Sequence, residues 1–191
     1  LRDALLAAAE RILERDGVGG LTLRAAAREA GVSHAAPTHH FGDLSGLVSE
    51  LAASGFRRFA AALGAAAVAQ GAAPDRRLDA MGRAYVAFAA AHPGLFTLMF
   101  RSERLDPARP ALKEAMDAAA AVLGGAVEAR QPGNEAPSTL TMAAGAVRAW
   151  ALVHGFAVLL LDRRLDHIVA QLPPGTTATT LLDEVLKSPA G

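Results

Sequence analysis

The chain has 191 residues, 52% of them hydrophobic, 20% charged and 5% aromatic, and no cysteine. Nineteen basic residues balance nineteen acidic ones, so no global field marks it for a nucleic acid or a membrane, and such a partner must be met by a local surface. The absence of cysteine excludes disulfides, thiol catalysis and thiolate metal sites, and suits a cytoplasmic setting.

Alanine dominates, and apolar residues do not alternate at period two, so the composition is that of packed helices and predicts an all-α fold. This length supports one sizeable core, or a small domain fused to a larger one. Arginines outnumber lysines 17 to 2, which with abundant Ala, Gly and Pro points to GC-rich bacterial coding. The chain opens at Leu1 without methionine, so native residues are expected ahead of it, with room for a basic arm.

In residues 1–16, Leu5, Ala9, Ile12 and Leu13 share one helical face and Arg2, Asp3, Glu10, Glu14 and Arg15 fall elsewhere, which predicts an amphipathic helix rather than a signal peptide. "DGVGG" breaks it, and Thr22 can cap a short helix running to Ala30. Gly31 supplies a turn, Ser33 can cap a third helix ending near Phe41, and Asp43 can cap a fourth reaching about Gln70. With Ser33 as cap, Pro37 is the fourth helical residue and costs a backbone hydrogen bond, so an irregular or 3₁₀-like first turn is expected.

Further along, Pro74 opens a helix to Ala91, and "HPG" at 92–94 turns into the short apolar helix "LFTLMF". A loop with Pro107 and Pro110 precedes a helix from Ala111 to Arg130, and "QPGNEAPS" at 131–138 is a second loop. Thr139 to Arg163 follow as the longest apolar helix. Its most apolar run, "AWALVHGFAVLLL" at 149–161, is short of the roughly 20 residues of a bilayer span and reads as a buried helix. After "LPPGTTATT" a last helix ends near Lys187.

The functional signal lies in the first 45 residues. Two short helices joined by a glycine turn, with Leu23, Ala27, Ala30 and Val32 facing inward, form a helix-turn-helix pattern in which the first helix holds the second and leaves its outer face for a major groove. The stretch "LLAAAERILERDGVGGLTLRAAAREAGVSHAAPTHHFGDLSGLV" resembles the N-terminal DNA-binding domain of the TetR family of bacterial transcriptional regulators, through Gly17, Thr22-Leu23, Ala27, Ala30 to Ser33, His40-Phe41 and Leu47. "HPGLFTLMF" and "AWALVHGFAVLLLDRRL", with Trp150, His154 and Gly155 in register, resemble the WHG-type effector domain of one branch of that family.

The resemblance implies a helix-turn-helix domain over residues 1–45, and an effector-binding and dimerisation domain over 46–191. It implies a homodimer that places two recognition helices in successive major grooves of a palindromic double-stranded DNA operator, roughly 34–36 Å apart. Binding of a small-molecule effector would release the DNA, if the ligand favours one conformation. Carried over by position, Thr22 and Arg24 meet phosphate, and Ser33, His34, Ala35, Ala36, Thr38, His39 and His40 make up the recognition helix, with Phe41 as its core anchor. This sequence departs from the family at Thr38, where an aromatic residue is usual, and at Leu44, where a lysine usually meets a phosphate. Residues 1–50 carry five arginines and seven carboxylates, a formal −2, so the cations that phosphate binding draws on are scarce.

For the effector, Tyr85, Phe88, Phe96, Met99, Phe100, Met116, Arg148, Trp150 and His154 are the candidate lining, apolar with a few polar groups. Trp150 and His154, one helical turn apart, could equally pack together as core. Small residues Ala143, Ala144, Gly145 and Gly155 would allow a second copy to approach the long helix closely.

Other chemistry has little to stand on. His34, His39 and His40 form no ligand pair at helical spacing unless Asp43 follows His39, so no metal is expected. No glycine loop that cradles phosphate appears, and no cofactor is expected. A helical enzyme with chemistry near Trp150 and His154 is the alternative reading, but His154 and Asp162 are eight positions apart on one helix, about 12 Å by rise.

Overall fold

The structure is a computed structural model that describes residues 1–71, 73–129 and 138–187. Among these residues every regular element is a helix: α1 (Arg2–Gly20), α2 (Leu23–Ala30), α3 (Ala36–Phe41), α4 (Leu44–Ala69), α5 (Pro74–Ala91), α6 (Pro93–Arg101), α7 (Pro110–Ala129), α8 (Thr139–Leu161), α9 (Asp166–Val169) and α10 (Ala178–Lys187). The all-α expectation holds. Helix α9 is an addition to it, and the expected loop at 131–138 lies, apart from Ser138, outside the described residues. By packing, the chain forms two units, one of Leu1–Arg58 with His92–Ala119 and one of Phe59–Ala91 with Ala120–Gly191.

In the first unit the apolar face of α1 is buried as the spacing predicts, through Leu5, Ala8, Ala9, Ile12 and Leu13. Gly17, at φ 69°, breaks the helix and lets the chain bring Leu21 into the core. The Thr22 hydroxyl accepts from the Ala25 N–H at 3.0 Å and starts α2, whose Ala26 and Ala27 are fully buried. Gly31, in the left-handed region at φ 67°, ends α2 while Val32 N–H returns to the Ala27 carbonyl at 3.0 Å.

Helix α3 begins later than expected. A cap at Ser33 would make His34 the first helical residue, but the helix starts at Ala36, and the Ser33 carbonyl, rather than its hydroxyl, accepts from the Ala36 N–H at 3.1 Å. The reason is Pro37, which lacks an N–H and sits best in the first helical turn, where no intrahelical donor is needed. It is the second residue of α3 instead of the fourth and loses no bond, and the i to i+3 bond from Ala36 to Ser33 is the 3₁₀-like start that was expected. Pro37 and Phe41 are both buried. Gly42, at φ 78°, turns the chain, and Asp43 Oδ1 caps α4 by accepting from the Gly46 N–H at 2.7 Å. Gly46 itself has no room for a side chain, because a Cβ would stand 1.9 Å from the Phe41 carbonyl oxygen.

The rest of the first unit is tied to α1 and α4 by polar contacts. Glu14 of α1 accepts from the Gly94 and Leu95 N–H groups, both at 2.9 Å, and so caps α6 from another helix. Arg58 Nη1 donates to both Glu10 carboxylate oxygens at 2.7 and 2.8 Å, and its Nη2 lies 3.2 Å from His92 Nε2. The segment between α6 and α7 lies on the start of α4: Ser45 Oγ donates to the Arg104 carbonyl at 3.2 Å and the Asp106 N–H donates to Ser49 Oγ at 3.0 Å.

In the second unit, Phe59 packs edge-on against Tyr85 and Phe88, at centroid distances of 4.9 and 5.2 Å. A Cβ on Gly82 would stand 2.9 Å from Leu186 and 3.2 Å from Val153, so α5 meets both α10 and α8 closely there. Helix α8 ends at Leu161, two residues before the expected Arg163, which at φ 58° closes it from outside, with the Arg163 N–H on the Leu160 carbonyl at 3.0 Å and the Arg164 N–H on the Leu159 carbonyl at 2.8 Å. The expectation that this is a buried helix is corrected. It is 23 residues long and apolar enough to cross a membrane by length and composition, yet only 17% of its most apolar window is buried within the chain. Leu140, Val147, Trp150, Leu152 and Leu159 are all exposed.

Candidate functional site

The residues expected to meet DNA lie on one short run of the first unit. Thr22 and Arg24, at the start of α2, are exposed. Ser33, His34 and Ala35 are exposed too, but they stand in the turn ahead of α3 instead of inside the helix. Within α3, Thr38 and His39 are exposed, while Ala36 and His40 are half-buried. The His40 ring lies between His39, at 5.4 Å, and Phe41, at 6.2 Å, which gives it a packing role besides any outward one. The Arg2 guanidinium sits 5.7 Å from the centre of the Phe41 ring. The buried pair Pro37 and Phe41 therefore fixes α3 from beneath and leaves its polar edge to solvent.

The cations around this run are unequally available. Arg2 pairs with Glu50 at 2.6 Å, and Arg11 and Arg15 pair with Glu29 at 3.0 and 3.5 Å. Arg15 also bonds Asp16 at 2.9 Å. The Arg15 bond holds the Asp16 carboxyl below its ordinary pKa, and the Arg11 bond does the same for Glu29. Among the described residues, Arg24 and Arg28 are in no ion pair and stand exposed beside the reading run. No group of three His, Asp or Glu side chains suited to a metal ion occurs among the described residues.

The candidate effector lining separates into two groups. Tyr85, Trp150 and His154 are joined in the second unit: the Trp150 indole N–H donates to the Tyr85 hydroxyl at 3.2 Å, and that hydroxyl lies 2.8 Å from His154 Nδ1. Burial pushes the Tyr85 phenol above its ordinary pKa, with the Trp150 bond opposing, so the phenol stays protonated. The Trp150 and His154 rings also lie 5.7 Å apart, tilted by 55°, so the packed arrangement of this pair is present. Phe88 is buried in the same unit against Phe59, and Arg148 is exposed on α8. Phe96, Met99, Phe100 and Met116 belong to the first unit. There Phe100 packs on Phe96 at 4.8 Å and on Phe56 at 5.3 Å, Met99 is buried, and Met116 is exposed.

Several side chains that organise these regions were not singled out from the sequence. Glu14, Arg58, Arg104 and Arg109 act on elements 34 to 86 positions away, as in Arg58 with His92 and Arg104 Nη1 with the Val18 carbonyl at 3.0 Å. The glycine of "HPG" is the one local signal for such a contact: a Cβ on Gly94 would stand 2.8 Å from the Leu13 carbonyl oxygen, where α6 starts against α1.

Two family profiles match the chain. "Bacterial regulatory proteins, tetR family" covers residues 5–51, and "Tetracyclin repressor-like, C-terminal domain", a WHG-type family, covers 78–185. No curated protein matches. Among solved structures, a protein of unknown function from a Rhodococcus species is 38% identical, with a TM-score of 0.77 over 97% of this chain and 91% of that one. FadR from Bacillus subtilis, solved with stearoyl-CoA, is 12% identical, with a TM-score of 0.70 over 96% and 95%. The TetR family transcriptional regulator PfmR from Thermus thermophilus is 17% identical, with a TM-score of 0.60 over 95% and 96%. The alternative of an enzyme with chemistry near Trp150 and His154 gains no support from these matches. With one profile on the reading helices and the other on more than half of the chain, the protein belongs to the TetR family of bacterial transcriptional regulators.

Proposed function

We propose that the protein is a cytoplasmic, effector-released repressor that binds a palindromic operator as a homodimer. Residues 1–45 act as the DNA-binding domain and 46–191 as the effector-binding and dimerisation domain. The observation that carries the reading is the construction of α3, held by buried Pro37 and Phe41 with Thr38 and His39 exposed. Thr22 and Arg24 grip phosphate, and Ser33, His34, Ala35, Ala36, Thr38, His39 and His40 face the groove, with alanine and threonine methyls suited to thymine methyl groups. The exposed apolar residues of α8 are covered by the second copy, where Ala143, Ala144, Gly145 and Gly155 permit close approach.

The effector is mainly hydrophobic, with one or two polar groups. Tyr85, Trp150 and His154 supply the polar end of its site, and Phe88 and Arg148 of the same unit add to its lining. The Bacillus subtilis FadR structure was solved with stearoyl-CoA, whose apolar chain matches that description while its polar head is far larger. The test is fluorescence anisotropy of the purified chain on the DNA flanking its own gene. Binding should weaken steeply as salt rises and respond to a ligand found by native mass spectrometry. Absence of any salt-sensitive affinity for that DNA sinks the proposal.

A further inference from the structure

Asp43 sets an electrostatic problem beside the reading helix. It caps α4, yet its side chain is 69% exposed and it lies two residues beyond the end of α3. A carboxylate in that place repels the phosphates that α3 has to approach. Within residues 1–50, Arg2, Arg11 and Arg15 are engaged by Glu50, Glu29 and Asp16. The cation that meets Asp43 comes from far along the chain. Arg109, next to the first residue of α7, places Nη2 3.4 Å from Asp43 Oδ1, and its Nη1 stands 3.0 Å from where a Cβ on Gly46 would be. Its Nε lies 3.6 Å from Asp106 Oδ2. The segment is held there by the Ser45 bond to the Arg104 carbonyl and the Asp106 bond to Ser49, a buried side chain.

We propose that Arg109 cancels the charge of Asp43 beside the reading helix, which makes the segment between α6 and α7 a working part of the DNA-binding surface. The proposal rests on the operator-binding reading above. It explains how residues 1–50, of formal charge −2, can approach DNA: a required capping carboxylate is neutralised by a residue outside that stretch.

Operator affinity of the full chain is measured across a salt series for wild type, Arg109→Gln, Arg109→Lys, Asp43→Asn and the Asp43→Asn/Arg109→Gln pair, with thermal unfolding alongside. Asparagine keeps the cap. Arg109→Gln should weaken binding about three- to tenfold at low salt, a loss that shrinks as salt screens the carboxylate. Arg109→Lys should bind like wild type, and Asp43→Asn should restore the Arg109→Gln protein. Wild-type affinity in Arg109→Gln, or a loss that Asp43→Asn leaves in place, overturns the proposal. If Arg109→Gln does not fold, Asp43→Asn alone decides: release of the Arg109 charge should tighten binding about threefold, and unchanged affinity overturns the idea. Failure of the wild type to bind at all counts against the operator reading instead.

Discussion

In the first packing unit, carboxylates are set against helix starts and guanidinium groups, Glu14 on α6, Asp43 on α4 and Glu10 on Arg58. In the second, the most apolar helix, α8, presents Leu140, Val147, Leu152 and Leu159 to solvent. The difference is one of directionality. Caps and ion pairs work over a narrow range of distance and angle, so they select one geometry within the chain. An apolar face has no such preference and is stabilised by whatever removes it from water. The first unit therefore carries its own means of orienting α3, whereas α8 has the surface of a helix that lacks its cover.

The comparison can be broken most severely at Gly46. An alanine there would put Cβ 1.9 Å from the Phe41 carbonyl oxygen, a backbone clash that the short turn between α3 and α4 has little freedom to relieve. Gly46→Ala should cost about 3–4 kcal/mol in urea unfolding. A loss below about 1 kcal/mol would mean that the α3 geometry is not held this tightly.

The second unit is tested at Gly155, where an added Cβ meets nothing within 4 Å in the single chain. Gly155→Leu should leave helicity unchanged by circular dichroism but raise the dimer dissociation constant about a hundredfold, equivalent to about 2.7 kcal/mol. Sedimentation equilibrium reads this directly, and a variant that dimerises like wild type removes Gly155 from the interface. The smallest effect is expected at Glu14. Glu14→Ala takes the partners from two N–H groups at the start of α6, which should cost about 1 kcal/mol and speed hydrogen exchange at Gly94 and Leu95. Unchanged exchange would show that α6 does not depend on α1 for its cap.

Much of the reading head was legible because its signals are local. Thr22, Gly31 and Asp43 each act within three or four positions of themselves, as a cap or a left-handed turn, and all three do so in the structure. Ser33 misled for an equally local reason. Its hydroxyl made it a natural cap, but the proline four residues on prefers the first helical turn and moves the start of α3 to Ala36. The apolar pattern of α8 was plain as well, but hydropathy does not say whose atoms cover a helix, so burial in the chain's own core was the wrong inference.

By itself the sequence determined where most helices of the described chain run, where most of the caps fall and which two family patterns it carries, because these depend on residues within a turn or two of each other. Tertiary structure alone decided that Glu14 would cap α6, that Tyr85 would join Trp150 and His154, and that Arg109 would meet Asp43. These partners stand 65 to 81 positions apart, and only the packing of helices, through burial of their apolar faces, brings such side chains within bonding distance.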